Sequence, residues 1–356
     1  MHAGWILSFF TSLFLAVIIT PVIIKVAKIK HLVDEPKEDR KIHFRSIPSV
    51  GGIGIFASFL FSISFWSGWD NQNMSIEDHQ FYQYFIAGIL VLFFVGLKDD
   101  LTGMSPFKKL FALTLVGLIM VFLAPMRITT MGGLFGIYQL PTGMGVFLSL
   151  FTYIVVINAI NLIDGIDGLA GGVCAIAGLL FGLWFFAAGE IFFAIIGCAL
   201  AGSLIGFLVF NHSPAKIFMG DGGSLIVGFI LCVLAVKMIN YPSHLIPAQF
   251  SHIPTSVMVM TILSYPLFDT IRVFFLRSFS GKSPFSADKN HIHHRLIGNG
   301  FGHRKASLMV YLYSLFMVMV MYFLPPLSPT SLFLIMLGIG ALMVTFLLWV
   351  KPLRKF

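Results

Sequence analysis

Acidic and amide side chains gather directly after one apolar run, in residues 158–169. Four polar residues recur there at every third position: Asn158, Asn161, Asp164 and Asp167. Three residues turn a helix by about 300°, so one continuous helix cannot direct all four side chains at one point. We therefore predict that the helix ends near Gly165 and that the chain turns, bringing Asp167 toward the same cavity. The alternative, amides that only bond neighbouring helices, explains Asn158 but not two added carboxylates.

A second acidic motif, Asp99-Asp100, closes another apolar run. Adjacent carboxylates repel unless a cation lies beside them, which suits a hard divalent ion such as Mg²⁺, with Mn²⁺ as a substitute. The alternative is a pair that is simply solvated at a helix end beside Lys98.

A third cluster, residues 211–224, contains Pro214 and three glycines between two apolar runs. The run that follows predicts a helix whose N-terminal amides, together with Lys216 and Asp221, would bind a phosphate or a metal phosphate. The order of Gly and Lys is not that of a Walker A loop. Alternatively, Asp221 caps this helix with Ser224 as its partner. The residues predicted to contact substrate here are Asn211, Lys216, Gly222 and Ser224.

Histidines gather in the last long polar stretch, as His291, His293 and His294, followed by Arg295. They lack a Cys or a fourth ligand at the spacing of a structural zinc site. Donation to phosphates fits better. Asp269, in the apolar run before this stretch, is a buried acid whose role stays open, with Arg272 or Arg277 as a possible partner.

The elements that carry these motifs are membrane helices, because 58% of the 356 residues are hydrophobic and only 11% are charged. We predict an all-α polytopic membrane protein with a single domain over 1–356 and about eleven spans. The spans are centred on 5–26, 50–68, 81–97, 109–125, 145–163, 171–188, 191–210, 223–239, 255–276, 307–324 and 331–350. Residues Met131 to Gly145 are rich in Gly and predict a small extracellular hairpin.

The basic residues set the orientation, because all of the 23 Lys and Arg except Arg127 and Lys237 fall on alternate loops and helix ends. The positive-inside rule makes that side cytoplasmic, with loops at about 27–49, 98–108, 164–170, 211–222 and 277–306. Eleven spans then put the N-terminus outside and the C-terminus in the cytoplasm. The net charge of +8 predicts contacts with membrane lipid and no nucleic acid, since no segment is long and polar enough to form a nucleic-acid surface.

Seven acids fall at the inside end of a span or in an inside loop, and we predict that they form one cytoplasmic site. They are Asp99, Asp100, Asp164, Asp167, Asp221, Asp269 and Asp288.

In order and spacing these motifs resemble the polyprenyl-phosphate N-acetylhexosamine-1-phosphate transferases of glycosyltransferase family 4, over nearly the whole chain. The resemblance implies ten or eleven spans in the bacterial inner membrane, with the active site facing the cytoplasm. It also implies transfer of a sugar 1-phosphate from a UDP-N-acetylhexosamine to undecaprenyl phosphate, with release of UMP, as the first membrane step of cell-envelope polysaccharide synthesis. Members of the family often pair as homodimers.

The resemblance also implies roles for single residues. Asp99 would be the base or would position the acceptor, while Asp100 and Asp221 would bind Mg²⁺. Asp164 and Asp167 would act in catalysis and line the nucleotide and metal site with Asn158 and Asn161.

Two alternatives remain beside this interpretation. The peptidoglycan branch of the family, which transfers phospho-N-acetylmuramoyl-pentapeptide, has three consecutive histidines, whereas the His-Ile-His-His run here favours the branch that uses UDP-N-acetylglucosamine. An ion-coupled transporter is the alternative of another class, but transporter sites lie near the bilayer midplane, often in chains with internal repeats.

Overall fold

A computed structural model of the chain describes residues 3–30, 32, 47–67, 76–279 and 291–350, apart from the side chains of 76–78 and 279. These ranges hold thirteen α-helices and one β-hairpin. The helices are α1 (Gly4–Ile29), α2 (Gly52–Ser67), α3 (Ile76–Thr102), α4 (Pro106–Phe122), α5 (Thr142–Leu162), α6 (Leu169–Ala187), α7 (Ile191–Asn211), α8 (Asp221–Ile239), α9 (Thr255–Ile262), α10 (Ser264–Phe279), α11 (Ile292–Gly298), α12 (His303–Phe323) and α13 (Pro329–Trp349). The strands are β1 (Thr130–Leu134) and β2 (Ile137–Gln139).

Every predicted span contains helix, and the protein is a polytopic membrane protein. Among the described residues, eight helices are long and apolar enough to cross a membrane, or up to nine if a bent pair counts as one span. Helices α2 and α4, with 16 and 17 residues, are shorter than those eight. The orientation of the helices stays a prediction.

The predicted span at 255–276 is not one continuous helix, because α9 and α10 meet at an angle of 76°. Pro266 lies in the first turn of α10 and has no N–H group to bond the carbonyl oxygen four residues earlier. The helical ladder therefore breaks at Leu263, and α10 leaves in a new direction.

Helix α8 lies at the centre of the bundle, with every residue from Gly222 to Val236 buried against its neighbours, which include α3 and α5. Outside it, α1 and α7 pack through small residues. A Cβ at Gly202 of α7 would lie 2.1 Å from the carbonyl oxygen of Phe9, so the two backbones are in direct contact there. Such close approach stabilises helix pairs in lipid, where burial alone contributes little.

The hairpin itself is confirmed, although it is shorter than residues 131–145, and its extracellular position stays a prediction. β1 and β2 pair antiparallel with Thr130 opposite Gln139, and α5 begins at Thr142. The backbone N–H of Phe135, at the tip, donates to Thr330 Oγ1 at 2.9 Å. The hairpin is therefore tied to the start of α13.

The start of α2 and the end of α3 both meet the N-terminus of α8. The start of α2 bonds the loop before α8, since the N–H groups of Gly51 and Gly52 donate to the carbonyls of Phe218 and Met219 at 2.9 and 2.8 Å. A Cβ on Gly96, in α3, would lie 2.4 Å from the carbonyl oxygen of Asp221. Only glycine permits this approach, which brings the acidic end of α3 against the start of α8.

Candidate active site

Asp100, at the end of α3, caps the N-terminus of α8. Its Oδ1 accepts the N–H of Asp221 at 2.7 Å, and its Oδ2 accepts the N–H of Gly222 at 2.9 Å. The next two N–H groups of the helix donate to the carbonyl oxygen of Gly220. A carboxylate at this position also compensates the positive end of the helix dipole. The amides expected to bind a phosphate thus have protein partners, and the interpretation of Asp221 as the helix cap is wrong.

The side chain of Asp221 points away from its own helix amides and toward α5. Asn161 donates through Nδ2 to Asp221 Oδ1 at 2.6 Å and to Ser224 Oγ at 2.8 Å. Asn161 therefore joins the end of α5 to the first turn of α8. Asn158, one turn earlier, bonds the carbonyl oxygen of Ile154 within α5 at 2.8 Å.

Lys109, in the first turn of α4, lies among these carboxylates. Its Nζ is 3.3 Å from Asp99 Oδ2 and 3.3 Å from Asn161 Oδ1, and it also bonds Asp221 Oδ2. The ammonium group is the positive charge that lets Asp99 and Asp221 lie side by side. Sequence reasoning missed this residue, although only residues 103–105 separate α3 from α4. So short a connection keeps Lys109 near Asp99. This proximity in sequence could have indicated that Lys109 belongs to the site.

The chain turns after α5, as the three-residue spacing predicted. Helix α5 ends at Leu162, and α6 begins at Leu169 after Gly168, whose φ of 77° is left-handed. Asp164 lies in this turn, close to the backbone of Gly220. Burial, with the charges of Asp221 and Asp100 added, raises the pKa of Asp164 to about 7.

Asp167 is buried and has partners different from those of Asn161. Its Oδ2 accepts the N–H of Ala215 at 3.1 Å, and its Oδ1 lies 3.1 Å from His303 Nδ1. The carboxylate thus connects the α5–α6 turn to the loop before α8 and to the start of α12. Asp167 and Asn161 were expected to face one cavity. These bonds give Asp167 partners other than those of Asn161, although both residues contact the segment 211–224.

Helix α12 holds this turn through residues four apart on one face: His303, Ser307 and Tyr311. Besides the histidine contact, Ser307 Oγ donates to the carbonyl oxygen of Asp167 at 2.9 Å, and Tyr311 Oη bonds the carbonyl oxygen of Gly168. Residues i, i+4 and i+8 share a helix face, so the pattern is visible in the sequence once the partner is known.

The loop before α8 is held by Asn211 and leaves Lys216 exposed. The Asn211 side chain accepts the N–H of Gly168 at 3.0 Å and donates to the carbonyl oxygen of Ile217 at 2.9 Å. The oxygen of this amide thus bonds the α5–α6 turn, and its nitrogen bonds the loop before α8. Lys216 is therefore the better placed of the two to meet a soluble anion.

The histidines surround Asp269, which is completely buried. His291 Nδ1 lies 2.8 Å from Asp269 Oδ2, and the N–H of Ile292 donates to Asp269 Oδ1 at 2.8 Å. The partner found for Asp269 is thus a histidine and the first amide of α11. Asp288 lies outside the described residues, as do parts of the predicted loops 27–49 and 277–306.

His293 and its neighbours extend from this buried acid to the α5–α6 turn. The ring of His293 is completely buried, and a Cβ at Gly165 would lie 2.3 Å from its Nε2. Burial lowers the pKa of His293 to about 3, so the ring is neutral at ordinary pH. The ring of His294 lies beside that of His293, with centroids 4.3 Å apart and an angle of 48° between their planes, and Arg295 is exposed.

The residues present fit a hard divalent cation in their chemistry. Mg²⁺ prefers carboxylate and amide oxygens, and Asp99, Asp100, Asp221 and Asn161 supply them within one cluster. Their arrangement in this structure is organised around Lys109 and the amides of α8. Within the described part of the chain, no group of three or more His, Cys, Asp or Glu side chains is arranged to hold a metal ion.

A bundle of membrane-spanning helices with carboxylates, a lysine and histidines collected at one end defines a membrane-embedded enzyme. Comparison with known proteins gives its family. Residues 82–239 match the sequence model of glycosyl transferase family 4. The chain is 31% identical to the undecaprenyl-phosphate alpha-N-acetylglucosaminyl 1-phosphate transferase of Yersinia pestis, over 81% of this chain and 76% of that protein.

Two further relatives agree. The Escherichia coli K12 protein of the same name is 30% identical over 80% of this chain and 74% of its own length. The probable undecaprenyl-phosphate N-acetylglucosaminyl 1-phosphate transferase of Bacillus subtilis is 30% identical over 86% of this chain and 81% of its own length. The chain belongs to glycosyl transferase family 4.

Proposed function

We propose that the protein transfers N-acetylglucosamine 1-phosphate from UDP-N-acetylglucosamine to undecaprenyl phosphate and releases UMP. The observation that carries this proposal is the match over about four fifths of the chain to enzymes named for this transfer. The same match favours this function over transfer of phospho-N-acetylmuramoyl-pentapeptide and over ion-coupled transport.

The transfer needs one bond to form and one to break. An oxygen of the undecaprenyl phosphate bonds the phosphorus that carries the sugar, and the bond from that phosphorus to the bridging oxygen breaks. UMP leaves with the electron pair, and the lipid keeps a diphosphate. The attacking oxygen is already ionised, so catalysis consists mainly of positioning the two phosphates and of balancing their charge.

Positioning and charge balance can be assigned to residues of the site. Lys109 holds Asp99 and Asp221 together and offers positive charge where the donor phosphates would bind. Lys216 and Arg295 are exposed cations on the surrounding segments and would attract the soluble donor. Asp164, protonated below a pH of about 7, would donate a hydrogen bond to a phosphate oxygen.

A Mg²⁺ or Mn²⁺ ion is part of this proposal, with Asp100 and Asp221 as its protein ligands. When bound, it would neutralise the diphosphate as charge develops on the leaving UMP. We place the site at the cytoplasmic face of the bacterial inner membrane, a placement supported by the distribution of Lys and Arg. Pairing into a homodimer also stays a prediction.

A membrane assay tests the proposal. Membranes that contain the protein are incubated with UDP-N-acetylglucosamine labelled in the sugar, undecaprenyl phosphate and Mg²⁺, with the Asp221→Asn variant as matched control. We expect labelled lipid and an equal amount of UMP, neither of them in the control. Labelled lipid only from UDP-N-acetylmuramoyl-pentapeptide would reassign the branch, and no product from either donor would refute the proposal.

A further inference from the structure

One buried carboxylate, Asp269, lies outside the cluster around Lys109 and has no part in the transfer described above. It is carried by α10, the helix that departs at 76° from α9, and none of its surface is exposed. Burying a carboxylate is costly unless its oxygens are bonded. Both oxygens are bonded here, and both partners belong to the histidine segment.

The two bonds fix the start of α11. Its N-cap residue is His291, whose own side chain makes no capping bond to the helix. Asp269 Oδ1 supplies that bond from α10 by accepting the N–H of Ile292 at 2.8 Å. The far end of α11 is held as well, because Asn299 Nδ2 donates to the carbonyl oxygens of Leu348 and Val350, each at 3.1 Å.

The second bond orients an imidazole ring. Asp269 Oδ2 lies 2.8 Å from His291 Nδ1, and an ionised carboxylate can only accept, so Nδ1 carries the proton. The nitrogen left for other chemistry is then Nε2. In this way a carboxylate fixes the tautomer and the direction of a histidine.

The orientation extends to the α5–α6 turn. The ring of His291 is stacked on that of His293, with centroids 5.5 Å apart and an angle of 18° between their planes. His293 in turn packs on Gly165, where even one methyl group would collide with its Nε2. A shift of His291 therefore displaces the ring that borders the turn with Asp164.

We propose that Asp269 is a positioning residue for phosphoglycosyl transfer, which acts by holding His291 in one tautomer and one direction beside the α5–α6 turn. The inference rests on the proposed transferase activity, but the tautomer of His291 can be measured without it.

The experiment is a double-mutant cycle on the full-length protein in nanodiscs, with Asp269→Asn, His291→Gln and both together. An asparagine keeps the shape and accepts the N–H of Ile292, but its amide would donate to Nδ1 and reverse the tautomer. We expect Asp269→Asn to lower kcat about tenfold to a hundredfold, as for other residues that orient a functional group, with a smaller change in KM. On the His291→Gln background the same substitution should change kcat less than threefold.

A purely structural role predicts a different result. Asp269→Asn would then lower the unfolding temperature, and the loss of kcat would follow the loss of folded protein. That outcome, or a normal kcat in Asp269→Asn, would overturn the proposal. Glu190→Gln is the matched control. Glu190 Oε2 lies 3.4 Å from Lys237 Nζ, and this pair is remote from the histidines, so we expect the kcat of the variant to be unchanged.

A second measurement keeps the inference testable if Asp269→Asn does not fold. Nitrogen-15 spectra of histidine-labelled protein, assigned by comparison with His291→Gln, report which ring nitrogen carries the proton. We expect Nδ1 of His291 to be protonated in the unmodified protein, and a proton on Nε2 alone would overturn the proposal. If the unmodified protein releases no UMP while this tautomer is found, the proposed function fails and the contact stands.

Discussion

Replacing Lys109 by methionine tests whether its ammonium group holds the carboxylates of the site together. Coulomb attraction across the 3.3 Å between Lys109 Nζ and Asp99 Oδ2 is about 5 kcal/mol at an effective dielectric constant of about 20. The loss of hydration of both groups opposes it, and they are still 15% and 17% exposed. Removing one partner of a buried pair costs about 3–5 kcal/mol, so we expect a loss of about 2–4 kcal/mol here.

The assay is thermal unfolding of purified protein with EDTA and then with Mg²⁺. Without metal we expect Lys109→Met to unfold several degrees below the unmodified protein, because Asp99 and Asp221 then repel each other. Mg²⁺ should recover most of that loss by taking over as the counter-charge. UMP release should stay at least about tenfold lower, since a charge aimed at the phosphates is gone.

Lys108→Met is the matched control, because Lys108 is the adjacent residue and is exposed. We expect its unfolding temperature to stay within one degree of that of the unmodified protein, with and without Mg²⁺. The reasoning would be refuted if Lys109→Met unfolded at the normal temperature in EDTA. If Mg²⁺ did not recover the lost unfolding temperature, the ammonium group would have only a structural role. That result would also count against a metal ion among these carboxylates.

Three further outcomes are expected. Tyr311→Phe removes the hydroxyl that bonds the carbonyl oxygen of Gly168, so the free energy of unfolding should fall by about 1 kcal/mol and kcat/KM should fall with it; no change in either contradicts the role of α12. Gly96→Ala should cost about 1–3 kcal/mol by overpacking, measured against Gly338→Ala, where a Cβ meets open space; equal stability of the two refutes the close approach. The raised pKa of Asp164 favours the protonated carboxyl in the folded state, so the contribution of Asp164 to metal-free stability should be fully present below a pH of about 4 and decline toward 7. Asp164→Asn should flatten this decline in the free energy of unfolding, and equal slopes in the two proteins exclude Asp164 as its source.

The features that could be predicted from sequence are those set by local chemistry. The three-residue spacing around Gly165 required a helix end there, and α5 ends at Leu162. Apolar runs located the helices of the predicted spans, because backbone hydrogen bonds in lipid must be satisfied within each helix. They did not locate α11, which lies in the polar stretch predicted as a loop. The break at Leu263 was missed, although Pro266 was visible, because a proline in a membrane helix often produces only a kink.

Contacts between distant segments could not be predicted in this way. The bond from Asp269 to His291 joins residues 22 apart across a polar stretch, and the bond from Asp100 to the amide of Asp221 joins residues 121 apart. Each depends on which helices become neighbours, and this is set by packing at small residues such as Gly96. The sequence therefore indicates which side chains can take part in chemistry, whereas the partners of these side chains depend on how the helices pack.

The cap that Asp100 places on α8 changes how an anionic donor can be bound. A bare helix N-terminus attracts phosphate through its free amides and its dipole, and that was the expectation for this loop. Here a carboxylate accepts the first two N–H groups of the helix, so an approaching diphosphate would meet negative charge at this point. Attraction must come from cations instead, from Lys109 within the cluster and from a divalent ion able to join the carboxylates to the phosphates. The capped helix is therefore a physical reason to expect metal dependence, and it makes the recovery of Lys109→Met by Mg²⁺ the most informative single measurement.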